Sequence, residues 1–402
     1  MAATESRHDR KRMIVVAFLT AMTFTHVVMA GAVWPLLRNG YQDFTIFYGA
    51  GQMVRHGQSS SLYDLAQQYE AQQRFAPDVQ IRHGALPYNH PPFEALLFAP
   101  LSFLSYLPAY LLWTFLNVLF LTAAVLQLHR QFSSLAKAPQ WLLFLAASGF
   151  FPVAIALIQG QDSMLLLLIF VLALVVLDSG LDVQAGAILA LGLFKFHLVL
   201  PVIILLALRR WRILLGFAPV AAILTVLSVA MVGWGGAWNY VWFLLHVENS
   251  GAGGAIVPQD MPNLHGLIAC FGGTGKLAVG LIVVAGIVIF CFTAIRIRRA
   301  EMQISTCFLI ATTTTVLISY HLLAYDLSLL LPAAMFLFLE NDRETTVWKK
   351  PAVLILLFLT PLYVLLWFYL GRLGWFALVV LALLFVLYRR NSKRGELLPL
   401  AS

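Results

Sequence analysis

The chain has 402 residues, of which 61% are hydrophobic and 11% charged, with a formal net charge of +8 and a mean hydropathy of +0.85. Soluble domains carry roughly 25% charged residues, so the composition excludes a soluble domain. The apolar runs are continuous and about 20 residues long without alternation, which excludes a transmembrane β-barrel. The basic residues fall in short clusters between those runs, as in cytoplasmic loops, and not in a nucleic-acid-binding surface.

Arg7, Arg10, Lys11 and Arg12 predict a cytoplasmic N-terminus, with Met13 to Leu37 crossing outward. That run is about 24 residues long, more than a typical signal-peptide core, and no clean A-x-A site follows it, so it reads as a retained first span. Residues 38–90 are polar. Residues 91–105 are interrupted by Pro91, Pro92 and Pro100 and make a poor span. The segment 38–105 is therefore read as the first large external loop, with interfacial helices. Within it, "GYQDFTIFYGAG" places Asp43 just beyond the first span, followed by Phe44, Phe47 and Tyr48. The carboxylate reads either as a helix cap or as a general base or cation ligand at the membrane surface, and the aromatics read as anchors of a helix in the interface. In "LPYNHPPFEALLFAPL", His90 and Glu94 lie four apart, on one face if helical.

Tyr106 to Leu128 spans inward and Trp141 to Ile158 returns. The turn "QGQDS" then carries Gln161 and Asp162, with Asp162 a candidate N-cap. After the next span, two short helices meet around "LFKFHLVLP", which puts Lys195 and His197 in an apolar segment. A lysine there is expensive unless it meets an anion or reaches the interface. "RRWR" (Arg209, Arg210, Arg212) is inside. Residues 233–273 form a second large external loop with Asp260, Asn263 and His265. Further on, "SYHLLAYD" sets Tyr320, His321, Tyr325 and Asp326 at the external end of a helix pair. The expectation is an all-α polytopic membrane protein, a single integral domain over 1–402. It has about twelve spans, both termini cytoplasmic, and its polar groups gathered on the outer face of the cytoplasmic membrane.

Cys270, Cys291 and Cys307 have no paired spacing, so neither a disulfide nor a CxxC metal site is expected. "GAGGA" at 251–255 lacks the strand–helix context of a phosphate loop, so no nucleotide site is read. No cofactor is expected and no metal is required, although Asp43 and Asp162 together could bind one. From physics alone, the polar outer ends and the buried Lys195 suit a site for a lipid-linked anion. A transporter or flippase would also explain an intramembrane lysine, but it predicts functional polar groups near the midplane and on both faces.

In order along the chain, Asp43 to Ala50, His56 to Tyr63, "YNHPPFEALLFAPL", "GQDS", "GLFKFHLVLPVIILLALRRWR" and "SYHLLAYDLSLLLP" resemble the motifs of glycosyltransferase family 87. These are polyprenyl-phosphate-mannose-dependent α-mannosyltransferases of the GT-C superfamily. Gln-Asp stands where glutamine–asparagine is more usual, and "FKFH" replaces a lysine–proline type of sequence, so the roles of Asp162 and His197 stay open. The resemblance implies a GT-C fold and a polyprenyl-phosphate sugar donor, with mannose as the sugar. Asp43 takes the position of the catalytic base, Lys195 that of the lysine facing the donor phosphate, and His321 that of the late histidine. His90, Gln161, Asp162, His197 and Tyr48 are the further candidates for donor-phosphate or substrate binding. The expected partners are the donor, a glycolipid or glycan acceptor and membrane lipids. The expected reaction is an inverting transfer to an acceptor hydroxyl.

Overall fold

The structure, a computed structural model, describes residues 2–76, 86–246, 257–272, 275–299, 301–339 and 349–389. The expected "GAGGA" segment lies outside the described residues. Helices make up the fold, and no strand is present among the described residues. In a hydrocarbon environment the backbone has to satisfy its own hydrogen bonds, which a helix does segment by segment.

Four helices are long and apolar enough to cross a membrane: Arg12–Arg38, Tyr106–Gln131, Ile213–His246 and Lys276–Arg299. Three more spans arise if each bent pair counts as one. These are Gln140–Ser148 with Phe151–Gln159 (64°), Asp182–Ala190 with Leu193–Ala207 (65°) and Pro351–Phe358 with Thr360–Tyr369 (60°). The described residues thus support four to seven spans, where segmentation of the sequence counts about twelve. The difference comes from apolar helices such as Ser163–Asp178 and Ile304–Ile318, which at 1.5 Å per residue fall short of a bilayer core of about 30 Å. His26 ties the first helix to two of the bends: its Nδ1 lies 2.8 Å from the Ser148 carbonyl and its Nε2 2.7 Å from Thr360 Oγ1.

The first loop folds back onto the helices. Phe44–Arg55 and the short turn Leu101–Phe103 pack against Tyr106–Gln131, Ala95–Phe98 packs against Phe44–Arg55, and Pro92–Glu94 packs against Ile213–His246. Phe44, Phe47 and Phe98 are completely buried, and Tyr48, Tyr106, Tyr110 and Trp113 nearly so. Phe47 stacks on Phe98 at 4.7 Å, and Phe98 meets Trp113 edge-on at 4.7 Å. The aromatic face of Phe44–Arg55 therefore buries in protein, not in the membrane interface expected from its sequence. Each such ring contributes about 1.5–3 kcal/mol by leaving water, plus the edge and stacking terms. The second loop begins inside a helix: Ile213–His246 breaks at Gly233 (φ 72°, ψ 171°). Beyond the break Trp234, Trp238 and Trp242 are exposed, while Tyr240 and Phe243 pack on Tyr63 at 4.7 and 5.7 Å.

Asp182–Ala190 makes an extensive contact with Ile213–His246. The two backbones touch at Gly186 and Gly216. A Cβ on Gly186 would sit 1.8 Å from the Ile213 carbonyl oxygen, and one on Gly216 would sit 1.8 Å from that of Val183. Close approach through small residues is how helices associate where no hydrophobic force separates them from lipid. Gly186→Ala and Gly216→Ala should each destabilise the protein by about 1–3 kcal/mol, the usual cost of overpacking. Thermal unfolding in detergent measures this; unchanged melting of both variants would refute the contact.

Candidate functional site

The site is built around a turn. Phe151–Gln159 ends at Gly160, which adopts φ 62° and ψ 37°. A Cβ there would lie 2.8 Å from Phe44 Cβ, so glycine serves both the left-handed conformation and the close approach. Trp113 Nε1 donates to the Gly160 carbonyl at 2.9 Å, and the Tyr110 hydroxyl donates to that of Ile158 at 2.9 Å. Aromatic residues of Tyr106–Gln131 thus hold the turn, and the turn presents Gln161 and Asp162 to different partners.

Gln161 Nε2 donates to Asp43 Oδ2 at 2.7 Å, and Gln159 Oε1 accepts from the Asp43 backbone N–H at 3.1 Å. The Tyr325 hydroxyl also hydrogen-bonds the Asp43 side chain. Asp43 occupies the N-cap position of Phe44–Arg55 but makes no side-chain cap bond. Its carboxylate is instead oriented by residues from two distant segments, and it remains partly exposed.

Asp162 faces the lysine. Lys195 Nζ lies 2.7 Å from Asp162 Oδ1 and 2.7 Å from Asp326 Oδ1, and it donates to Ser163 Oγ at 3.0 Å. Asp326 is fixed in turn by the Leu323 N–H, which donates to its Oδ2 at 3.2 Å, and by Ser163 Oγ at 3.3 Å. All three charged side chains are at least 97% buried. Lys195 sits in the bend between Asp182–Ala190 and Phe196–Ala207, which explains how an ammonium in an apolar run reaches two carboxylates. The ring of Tyr325 lies 4.9 Å from the ammonium.

On the other side of Asp162 stand His90 and Glu94. His90 Nδ1 is 3.0 Å from Glu94 Oε2 and 3.9 Å from Asp162 Oδ2. The imidazole is held between Phe47, edge-on at 5.1 Å, and Tyr88, stacked at 5.7 Å. The Tyr88 hydroxyl donates to the Pro91 carbonyl at 3.0 Å and is shared with Glu94 Oε2 at 3.2 Å. Burial pushes the His90 imidazole down to about 4 against the pull of Asp162, so it is neutral at neutral pH. Burial, reinforced by the charge of Asp162, pushes the Glu94 carboxyl well above its ordinary value. Burial also acts to raise Asp162, but Lys195, Glu94 and His90 outweigh it and hold that carboxyl low. The negative charge at this end of the site is therefore concentrated on Asp162.

Of the residues singled out in the sequence, Asp43, His90, Gln161, Asp162 and Lys195 are drawn into one connected cluster. His197 and His321 form a second pair, with ring centroids 5.9 Å apart. Tyr48 lies in the aromatic core, with its hydroxyl donating to the Leu104 carbonyl at 2.7 Å. His265, from the second loop, stacks on Tyr320 at 4.7 Å. Sequence reasoning underrated Asp326, Ser163 and Glu94. The available signal for Asp326 was its place in the polar turn "SYHLLAYD", weaker than the charge inside an apolar segment that singled out Lys195.

The sequence model of glycosyltransferase family 87 matches residues 88–319 of the chain. The matched region contains His90, Glu94, Asp162, Ser163 and Lys195; Asp43, Tyr325 and Asp326 flank it on either side. No curated protein and no solved structure matches the chain.

The pairing of Lys195 sets a stability test. Removing the ammonium leaves two buried carboxylates facing one another, which costs about 3–5 kcal/mol when a buried pair loses one partner. Lys195→Met should lower the melting temperature sharply, and Asp162→Asn combined with Lys195→Met should recover part of the loss. Equal melting of Lys195→Met and wild type in detergent would show that the lysine is not paired.

Proposed function

Because the chain belongs to glycosyltransferase family 87, and so is a membrane glycosyltransferase, we propose that it transfers mannose from a polyprenyl-phosphate donor to a hydroxyl of a glycolipid or glycan. The reaction takes place at the outer face of the cytoplasmic membrane, with both termini inside and with inversion at the anomeric carbon. Asp43 is the general base. As the acceptor oxygen bonds to the anomeric carbon, its proton passes to the Asp43 carboxylate and the bond from that carbon to the phosphate oxygen breaks. The lipid phosphate leaves with the electron pair.

The observation that supports this reading is the setting of Asp43. Of the four carboxylates at the site, Glu94, Asp162 and Asp326 are buried and Asp43 is partly exposed. Gln161 and Tyr325 both direct hydrogen bonds at its side chain, so the carboxylate is oriented before an acceptor arrives. Lys195, its charge shared with Asp162 and Asp326, marks the end of the site that receives the leaving phosphate, which is a good leaving group and needs charge stabilisation more than an acid. His321 and His197, both partly exposed, contribute N–H groups toward the donor. His90 and Asp162 act through the lysine cluster.

A positioned general base contributes about 10²–10⁴-fold. Asp43→Asn should lower transfer from radiolabelled polyprenyl-phosphate mannose into a membrane-lipid extract by that factor, with melting unchanged. Near-normal turnover in Asp43→Asn would remove Asp43 from the role.

A further inference from the structure

Lys195 cannot serve a phosphate unaided, because two aspartates already share its charge at 2.7 Å each. Glu94 stands beside Asp162, and Glu94, Asp162 and Asp326 together set three carboxylates against one ammonium. With all three ionised, two negative charges remain. An anionic leaving group gains little from such a cluster, and two buried carboxylates side by side need a proton or a cation between them.

We infer that His90, Glu94 and Asp162 form a binding site for one divalent cation. The ligand atoms, one imidazole nitrogen and one oxygen from each carboxylate, all lie within 4.8 Å of one another. Lys195 occupies Oδ1 of Asp162, which leaves Oδ2 on the side of His90 Nδ1. A second feature points the same way. Asp162 Oδ2 and Glu94 Oε1 are buried carboxylate oxygens that no hydrogen-bond donor reaches, Asp162 and Glu94 are 1% and 0% exposed, and His90 Nδ1 lies 3.0 Å from the other Glu94 oxygen. Unsatisfied buried polar atoms are costly, and here two of them lie beside the His90 imidazole.

Binding of a divalent cation displaces the proton of Glu94, as metal ligands give up theirs, and the cation then brings Glu94, Asp162, Asp326 and Lys195 to net zero. Three protein ligands leave open positions for water or a phosphate oxygen, as metal sites that handle substrate do. A mixed set of one nitrogen and two carboxylate oxygens suits Mn²⁺ among the metals that carboxylates favour. The role at the leaving phosphate rests on the proposed function; the cation site itself does not.

The experiment uses the purified full-length chain in detergent, stripped with chelator and titrated with Mn²⁺ alone, without donor. Electron paramagnetic resonance should show about one bound Mn²⁺ per chain, with nitrogen-14 coupling from a single imidazole. Loss of a ligand should weaken binding by at least the 10–100-fold typical of groups that only support ligands, so Glu94→Gln and His90→Gln should fall by that much or more. The coupling should vanish in His90→Gln. His90 is the more exposed of the ligands, so His90→Gln decides the matter if Glu94→Gln does not fold. Absence of stoichiometric uptake, uptake equal in wild type and the variants, or bound Mn²⁺ without nitrogen coupling would each overturn the site. Binding at these residues in a protein that transfers no sugar would uphold the site and refute the donor assignment instead.

Discussion

A buried ammonium needs anionic partners, and meeting that need organises the centre of this protein. Lys195 is 97% buried with Asp162 and Asp326 on either side, each at 2.7 Å. The two aspartates come from different parts of the chain: one from the turn before Ser163–Asp178, the other from the segment leading into Leu331–Leu339. Holding all three together fixes the bend between Asp182–Ala190 and Leu193–Ala207 against two other elements. The arrangement is costly in desolvation, and the Coulomb attraction offsets it only because the geometry is close and Ser163 and the Leu323 N–H take up remaining bonding positions.

The same turn that delivers Asp162 to the lysine delivers Gln161 to Asp43. Two neighbouring residues on one turn meet different partners, so one structural element couples the charge cluster to the partly exposed carboxylate. The turn is itself held by Trp113 and Tyr110 and seated on Phe44 through Gly160. Tyr110 and Trp113 of Tyr106–Gln131 therefore set the position of the site together with Phe44, and the aromatics of the first loop are buried beside them. Their burial leaves the sugar-transfer reading intact but changes the part they play, from membrane anchors to scaffold.

Much of the candidate site was legible locally. Asp43 stood out as a carboxylate just past a span, Lys195 as a charge in an apolar run, and His90 and Glu94 as a pair at a spacing of four. Each is a contrast between a residue and its immediate neighbours, which is the kind of signal a sequence carries. Asp326 was visible only as one polar residue in a turn, because what makes it important is a partner more than a hundred positions away. Whether Asp43 and Asp162 could share a metal, which the sequence allowed but did not require, also depended on distance in space. Asp43 meets Gln161 and Tyr325, and it is His90 and Glu94 that stand beside Asp162.

By itself, the sequence determined that this chain is helical and embedded in a membrane, since apolar runs of that length admit no other way to satisfy the backbone. It also carried the ordered motifs of the family and the identities of the costly residues. Only the tertiary structure decided how those costs are met: which carboxylates neutralise Lys195, which face of Phe44–Arg55 is buried, and where bends divide apolar runs into helices too short to cross alone. The physical reason is that burial cost is a property of a residue and its surroundings along the chain. Its compensation comes from groups that folding brings together from elsewhere.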